Sequence, residues 1–156
     1  MHKLTEFLYQ GDVEDATRVA DNFPDKFIIL YLGLSYPSFF TISKAIIVHI
    51  PMRDEEEYSY KIDIIQDTIH DIIKQGKKLL VACDAGLSRS PCMCLLYLAQ
   101  HGRNHSWLRA ETLIREQNLA FQPELTLFQQ IEDMYDFNKF EKMTVDGLRS
   151  YYRSDK

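Results

Sequence analysis

Cysteine is scarce: Cys83, Cys92 and Cys94 are the chain's only three, an odd number set close together. That excludes a disulfide framework as the source of stability, leaves at least one thiol free, and suits a reducing compartment. Long apolar runs are lacking too. No stretch approaches the roughly 20 residues needed to span a bilayer, and the opening "MHKLTEFLYQGDVEDA" lacks the basic-then-apolar order of a secretory signal. The expectation is a cytoplasmic protein with no membrane-embedded part. Nor is there an excess of positive charge. With 18 Lys and Arg against 23 Asp and Glu, the net charge of −5 repels polyanions on average, so nonspecific binding to nucleic acid or anionic membranes is disfavoured. Any phosphate site must be a local arrangement. No internal repeat, low-complexity tract or linker interrupts the chain.

What is present suits one compact unit. At 156 residues, 46% of them apolar and including nine Phe and nine Tyr, the chain can bury one core but is short for two. The expected organisation is a single domain over 1–138, followed by a tail over 139–156. In that tail the periodicity fades, although Leu148, Tyr151 and Tyr152 are available to anchor a short helix.

Four β-rich runs are read as strands: "EFLY" (Glu6 to Tyr9), "FIILYL" (Phe27 to Leu32), "AIIVHI" (Ala45 to Ile50) and "KLLVA" (Lys78 to Ala82). The last three are nearly continuous in apolar residues, as central strands covered on both faces would be. Between Tyr58 and Gln75 the residues Ile62, Ile65, Ile69, Ile72 and Ile73 follow helical spacing, with Gly76 as the stop. A buried helix is expected from Ser90 to Gln100, with Pro91 in its first turn. Another should run from a Ser106 cap to about Gln117, and a last one should follow Pro123, with Leu127, Phe128, Ile131, Met134 and Tyr135 on its buried face. Strands alternating with helices predict an α/β fold with a central, mostly parallel sheet flanked by helices on both faces.

The chemistry is concentrated in "VACDAGLSRSP". Cys83 closes a strand, Ser90 opens a helix, and five residues separate Cys83 from Arg89. Asp84, Ala85, Gly86, Leu87 and Ser88 then wrap the helix N-terminus, where successive N–H groups and the helix dipole favour an anion. Gly86 permits a close approach or an unusual backbone angle, and the planar fork of Arg89 can grip two phosphate oxygens. The same positive surroundings favour the Cys83 thiolate, a nucleophile, and Ser90 can donate a hydrogen bond to its sulfur. This chemistry requires no metal and no cofactor. A Cys and an Arg at this separation also arise by chance, so a plain strand-to-helix turn is the competing reading.

"CDAGLSRS" resembles the signature H-C-x-A-G-x-S-R-S of cysteine-dependent protein phosphatases, specifically the small dual-specificity type, and matches it at Cys83, Ala85, Gly86, Ser88, Arg89 and Ser90. "LYQGDVEDA" looks like that family's opening strand and helix start, "FIILYLG" like its second strand, and "AETLIREQNLAFQPELTLFQQI" like its closing region. "HIPMRD" resembles the segment I-P-x-x-D, which the resemblance makes the carrier of the general acid, placing Asp54 in that role ahead of Glu55, Glu56 and Glu57.

Two positions depart from the family pattern. Its His before the nucleophile, understood to hold the loop and keep the thiol acidic, is Ala82 here, and its closing Pro-Asn is Pro123 and Glu124. Asp84, a like charge beside a thiolate, is expected to turn to solvent.

The resemblance implies hydrolysis of protein phosphotyrosine, with phosphoserine and phosphothreonine as further substrates, through a phosphocysteine. Cys83 would attack, Arg89 and the loop amides would hold the phosphoryl oxygens, and Asp54 would protonate the leaving oxygen and then activate water. Two other classes stay open from the residues: a non-catalytic phosphate-binding module, and a rhodanese- or arsenate-reductase-like cysteine enzyme. Cys92 and Cys94, two apart on a helix, are read as small core residues, with Cys92 as an alternative redox partner of Cys83. His101 and His105 have metal-ligand spacing, but Gly102 and Asn104 point to a loop. His49 is read as packing beside the acid segment. Trp107, Tyr58 and Tyr60 are read as packing residues.

Overall fold

The computed structural model describes residues 1–53, 59–102 and 105–137. In chain order these form β1 (His2–Lys3), β2 (Leu8–Gly11), α1 (Val13–Asn22), β3 (Phe27–Tyr31), a 3-10 turn (Ser38–Thr41), β4 (Ile46–His49), α2 (Ser59–Lys74), β5 (Lys78–Ala82), α3 (Arg89–His101), α4 (Trp107–Gln117) and α5 (Leu125–Met134). One five-stranded sheet runs in the order β1-β2-β5-β3-β4. Its strands β2, β5, β3 and β4 are parallel, and β1 pairs antiparallel to β2.

The order follows from handedness. The connection from β2 through α1 to β3 passes across β5 in one direction, and that from β4 through α2 to β5 passes across β3 in the other. Right-handed crossovers running in opposite directions place their helices on opposite faces. The core divides to match, since successive strand residues point to opposite faces. Ile29, Tyr31, Leu80 and Ala82 join Ala16, Val19 and Ala20 of α1 in one cluster. Leu30, Leu79 and Val81 join Ile62, Ile65 and Ile69 of α2, Met93 and Leu96 of α3, and Ile131 of α5 in the other.

Local signals fixed most of the ends. Asp12 caps α1 in a reciprocal box with Asp15, the Asp15 N–H donating to Asp12 at 2.8 Å and the Asp12 N–H to Asp15 at 3.1 Å. Gly76 ends α2 with φ 75°, the left-handed stop its position predicts. The Ser106 side chain accepts from the Arg109 N–H at 3.1 Å and starts α4. α5 follows Pro123 as expected, and Glu124 caps it, its carboxylate accepting from the Leu127 N–H.

Two expectations shift. The strand read at Glu6 to Tyr9 begins only at Leu8, because the Leu4 and Thr5 N–H groups donate to the Leu8 carbonyl and the Thr5 hydroxyl accepts from Phe7 and Leu8, turning this stretch between β1 and β2. β4, read as central from its apolar run, is an edge strand, and Ile46 on it is exposed. No helix among the described residues is long and apolar enough to cross a membrane.

Candidate active site

The parallel strands end together. Gly11 and Tyr31 are the register partners of Ala82 on either side, so the C-terminal ends of β2, β3 and β5 form one edge, the edge where open α/β sheets bind ligands. Cys83 follows Ala82 there and is 2% exposed. Residues 83–88 curl from β5 into α3, whose first turn carries no acidic residue. The positive end of the helix is therefore left unneutralised by its own side chains.

The loop is held from behind. Gly86 has φ 71°, and a Cβ there would meet the Asp12 nitrogen, the Asp12 Cβ and the Gly11 carbonyl carbon, each at 3.2 Å. The left-handed angle and the close backbone approach thus both require glycine. The Asp84 carbonyl accepts from the Val13 N–H at 3.3 Å, the Leu87 carbonyl from the Gln122 N–H at 2.9 Å, and the Ser88 hydroxyl from the Glu124 N–H at 2.9 Å. Through that last bond the position departing from the family's Pro-Asn still ties the loop to the start of α5, by its backbone.

Ser90 is fully buried against the Cys83 sulfur. Its N–H donates to the Cys83 Sγ at 3.4 Å, and its Oγ lies 3.2 Å from the same sulfur. The hydroxyl has one proton and two acceptors within reach, because the Gly11 carbonyl lies 3.1 Å away. With a protonated thiol, the S–H can donate to Ser90 Oγ while the hydroxyl donates to Gly11. With a thiolate, the hydroxyl turns to the sulfur.

Two residues not singled out from the sequence complete this device. Gln10, buried at the end of β2, donates from Nε2 to Ser90 Oγ at 2.9 Å and to the Gly86 carbonyl at 3.1 Å. Asn118, buried after α4, donates to Gln10 Oε1 at 3.1 Å and to the Gly86 carbonyl at 2.9 Å, and accepts from the Ala120 N–H. The donors run in one direction, Ala120 to Asn118 to Gln10 to Ser90, and on to the sulfur when Cys83 is a thiolate, so each bond polarises the next. The available signal was a lone glutamine in "LYQG", a polar side chain at the end of an otherwise apolar strand.

Arg89 is 13% exposed in its side chain. Its Nη1 donates to the Met52 carbonyl at 3.0 Å and its Nη2 to Asp84 Oδ2 at 3.1 Å. The first bond pins the segment after β4 to the loop, and the Met52 N–H donates to the Leu32 carbonyl to hold it from the other side. The second bond corrects the expectation that Asp84 simply turns to solvent. That side chain is 53% exposed, yet its carboxylate is held between Arg89 and the Tyr31 hydroxyl, which donates to Oδ1. Burial, followed by the hydrogen bond to Asp84, raises the Tyr31 pKa, so this hydroxyl remains a donor.

Ala82 faces the α1 side, next to Tyr31 and among Tyr9, Ala16, Val19, Ala20 and Phe40, with no exposure. The position that the family fills with His is closed here by apolar neighbours and the Tyr31 ring. Installing that His should overpack the cluster. Ala82→His is therefore expected to cost about 1–3 kcal/mol of stability, read as a lower denaturant midpoint; an unchanged midpoint would mean that the cluster has room.

Asp54, with Glu55, Glu56, Glu57 and Tyr58, lies outside the described residues, as do Asn104 and the tail over 139–156. Cys92 and Cys94 are fully buried in the larger core cluster, and burial pushes the Cys94 thiol up. The His101 ring stacks on His70 with centroids 4.4 Å apart, whereas His105 Nδ1 faces the Gln100 carbonyl. The two rings thus serve separate local contacts. His49 Nε2 meets the Gly33 carbonyl at 2.6 Å, beside Tyr31 and Tyr36. Trp107 packs edge-on against Phe128, 5.8 Å between centroids, and Tyr60 is exposed.

Comparison with known proteins gives the family and the fold. The family model for the dual specificity phosphatase catalytic domain matches residues 13–137. Dual specificity protein phosphatase 14 of Mus musculus is 29% identical over 107 residues, covering 67% of this chain and 53% of that protein. Putative tyrosine phosphatase 123R of Invertebrate iridescent virus 6 is 26% identical over 150 residues, covering 96% and 97%. This chain spans about half the length of the mammalian relatives it matches. Among solved structures, a mouse putative dual specificity phosphatase complexed with zinc tungstate superposes with a TM-score of 0.75 at 19% identity, covering 91% of this chain and 90% of that one. The chain belongs to the dual specificity phosphatase catalytic-domain family.

Proposed function

We propose that this chain is a metal-independent protein phosphatase acting on phosphotyrosine, with phosphoserine and phosphothreonine as further substrates, and that residues 1–138 are its catalytic domain. One observation carries the reading. The Cys83 sulfur lies at the base of a loop whose arginine is fixed to the Met52 carbonyl and Asp84, with Ser90 donating to that sulfur from N–H at 3.4 Å.

A phosphomonoester dianion would sit on the amides of Asp84, Ala85, Gly86, Leu87 and Ser88 and in the fork of Arg89. Cys83 would attack phosphorus in line, forming the S–P bond as the ester P–O bond breaks. Arg89 and the loop amides would neutralise the equatorial oxygens, the part a metal plays in other phosphoryl-transfer sites. Water would then attack the phosphocysteine, releasing phosphate and returning the electron pair to sulfur, where the Ser90 hydroxyl supports the thiolate.

Asp54 would protonate the leaving oxygen in the first step and take the proton from water in the second. Its place in the sequence supports this role. Met52, two residues earlier, is bonded to Arg89, so the chain enters that segment from the edge of the loop. The family's substrates and the net charge of −5 favour a phosphoprotein over a polyanion such as nucleic acid.

The test is hydrolysis of p-nitrophenyl phosphate and of matched phosphotyrosine and phosphothreonine peptides, with EDTA present. Turnover undiminished by EDTA, with the phosphotyrosine peptide cleaved, is the expected result. Sulfur transfer from thiosulfate without phosphate release would point instead to the sulfurtransferase class.

A further inference from the structure

We propose that Asp84 is a resident counter-ion for Arg89: its carboxylate occupies the guanidinium and must yield to an incoming phosphate, so that this side chain sets the oxyanion affinity of the site. The inference rests on the phosphatase reading of the loop and adds to it a residue that tunes affinity.

Three observations carry it. The carboxylate belongs to the residue directly after the nucleophile, and its Oδ2 accepts from Arg89 Nη2 at 3.1 Å, on the group that would grip phosphate. Exposure is unequal, with the Asp84 side chain 53% exposed against 13% for Arg89. The carboxylate can therefore move into water while the guanidinium stays, held through Nη1 by the neutral Met52 carbonyl. Finally, Asp84 has a second donor that does not depend on Arg89. The Tyr31 hydroxyl bonds Oδ1, and Tyr31 itself is buried in the α1-side cluster beside Ala82. Meanwhile the Asp84 backbone is fixed by the Val13 N–H, so release is a side-chain rotation that leaves the loop backbone in place.

The physical consequence has a definite sign. A carboxylate beside a phosphate dianion opposes it in charge and competes for the same donors, whatever its orientation. Phosphate, whether as substrate group or as product, is held less tightly than the same loop would hold it without this charge. A carboxylate that only oriented Arg89 would act oppositely, and its removal would weaken binding.

Calorimetric titration of inorganic phosphate into the wild type, Asp84→Asn, Asp84→Ala and Asp84→Glu separates the two. Asp84→Asn keeps the size and the acceptor for Tyr31 but removes the charge. It is expected to bind phosphate about tenfold more tightly, about 1.4 kcal/mol. Asp84→Ala should shift in the same direction, and Asp84→Glu, with the charge restored, should return to within about threefold of the wild type. Because the effect is one of charge, the gap between wild type and Asp84→Asn should narrow as salt is raised. Equal or weaker phosphate binding by Asp84→Asn and Asp84→Ala, or binding by Asp84→Glu as tight as by Asp84→Asn, overturns the inference. Hydrolysis of p-nitrophenyl phosphate by the same wild-type sample judges the phosphatase reading separately, since the titration needs no turnover.

Discussion

Cys83→Ser is expected to reduce turnover of p-nitrophenyl phosphate by at least about 10⁴-fold while the protein stays folded. Among the described residues, the sulfur is the only atom at the base of the loop suited to attack phosphorus. Ser90, the nearest hydroxyl, is fully buried and engaged with Gly11 and Gln10 as well as with the sulfur. A serine at 83 would be a far poorer nucleophile at neutral pH, since nothing in the loop is a base placed to take its proton, whereas a thiol ionises far more readily. The substitution removes little volume, and the loop is held by Gly86, Asp84 and Ser88 through their backbone and hydroxyl bonds. The circular dichroism spectrum and the thermal midpoint should therefore move little. Retention of more than a hundredth of the activity would mean that Cys83 is not the nucleophile.

Arg89→Lys should cost about 10²–10³-fold in kcat/KM, the scale of losing a preorganised donor to developing oxyanion charge. Charge is kept, so an effect this large would show that geometry matters. A guanidinium keeps the Met52 carbonyl on one nitrogen while another, which Asp84 occupies, can pass to an incoming phosphate. An ammonium is one point with three protons and cannot hold the Met52 carbonyl and two phosphate oxygens in a plane. The Met52 tether would loosen at the same time, and with it the approach to Asp54. Steady-state kinetics on the folded variant reads the change, and a loss under tenfold would contradict the role given to the fork.

The difference between what was legible in the sequence and what was not follows from chain separation. Cys83, Gly86, Arg89 and Ser90 lie in one uninterrupted stretch, and a strand-to-helix loop brings them together with no help from elsewhere. Their roles can thus be read from local chemistry. Gln10, Tyr31, Met52 and Asn118 come from four other segments that meet only because β2, β3 and β5 end at one edge of the sheet. The pairing of Asp84 with Tyr31 and Arg89 is of this kind, which is why solvent looked its natural direction. β4 shows the same limit for the fold. "AIIVHI" is as apolar as a central strand, and only the strand order makes it an edge. Ala82 gains a meaning from its neighbours as well. On the sequence it is the family's missing His, whereas in the fold it belongs to an apolar cluster that includes the tyrosine anchoring Asp84.

The central claim is that the phosphoryl group passes through the Cys83 sulfur. Wild-type protein mixed with p-nitrophenyl phosphate, quenched in acid within one turnover and analysed by peptide mass spectrometry, tests this most directly. A phosphoryl adduct is expected on the peptide containing Cys83, formed before phosphate is released and absent when phosphate alone is added at low concentration. Turnover accompanied by no adduct on that cysteine, or by an adduct on another residue, would contradict it.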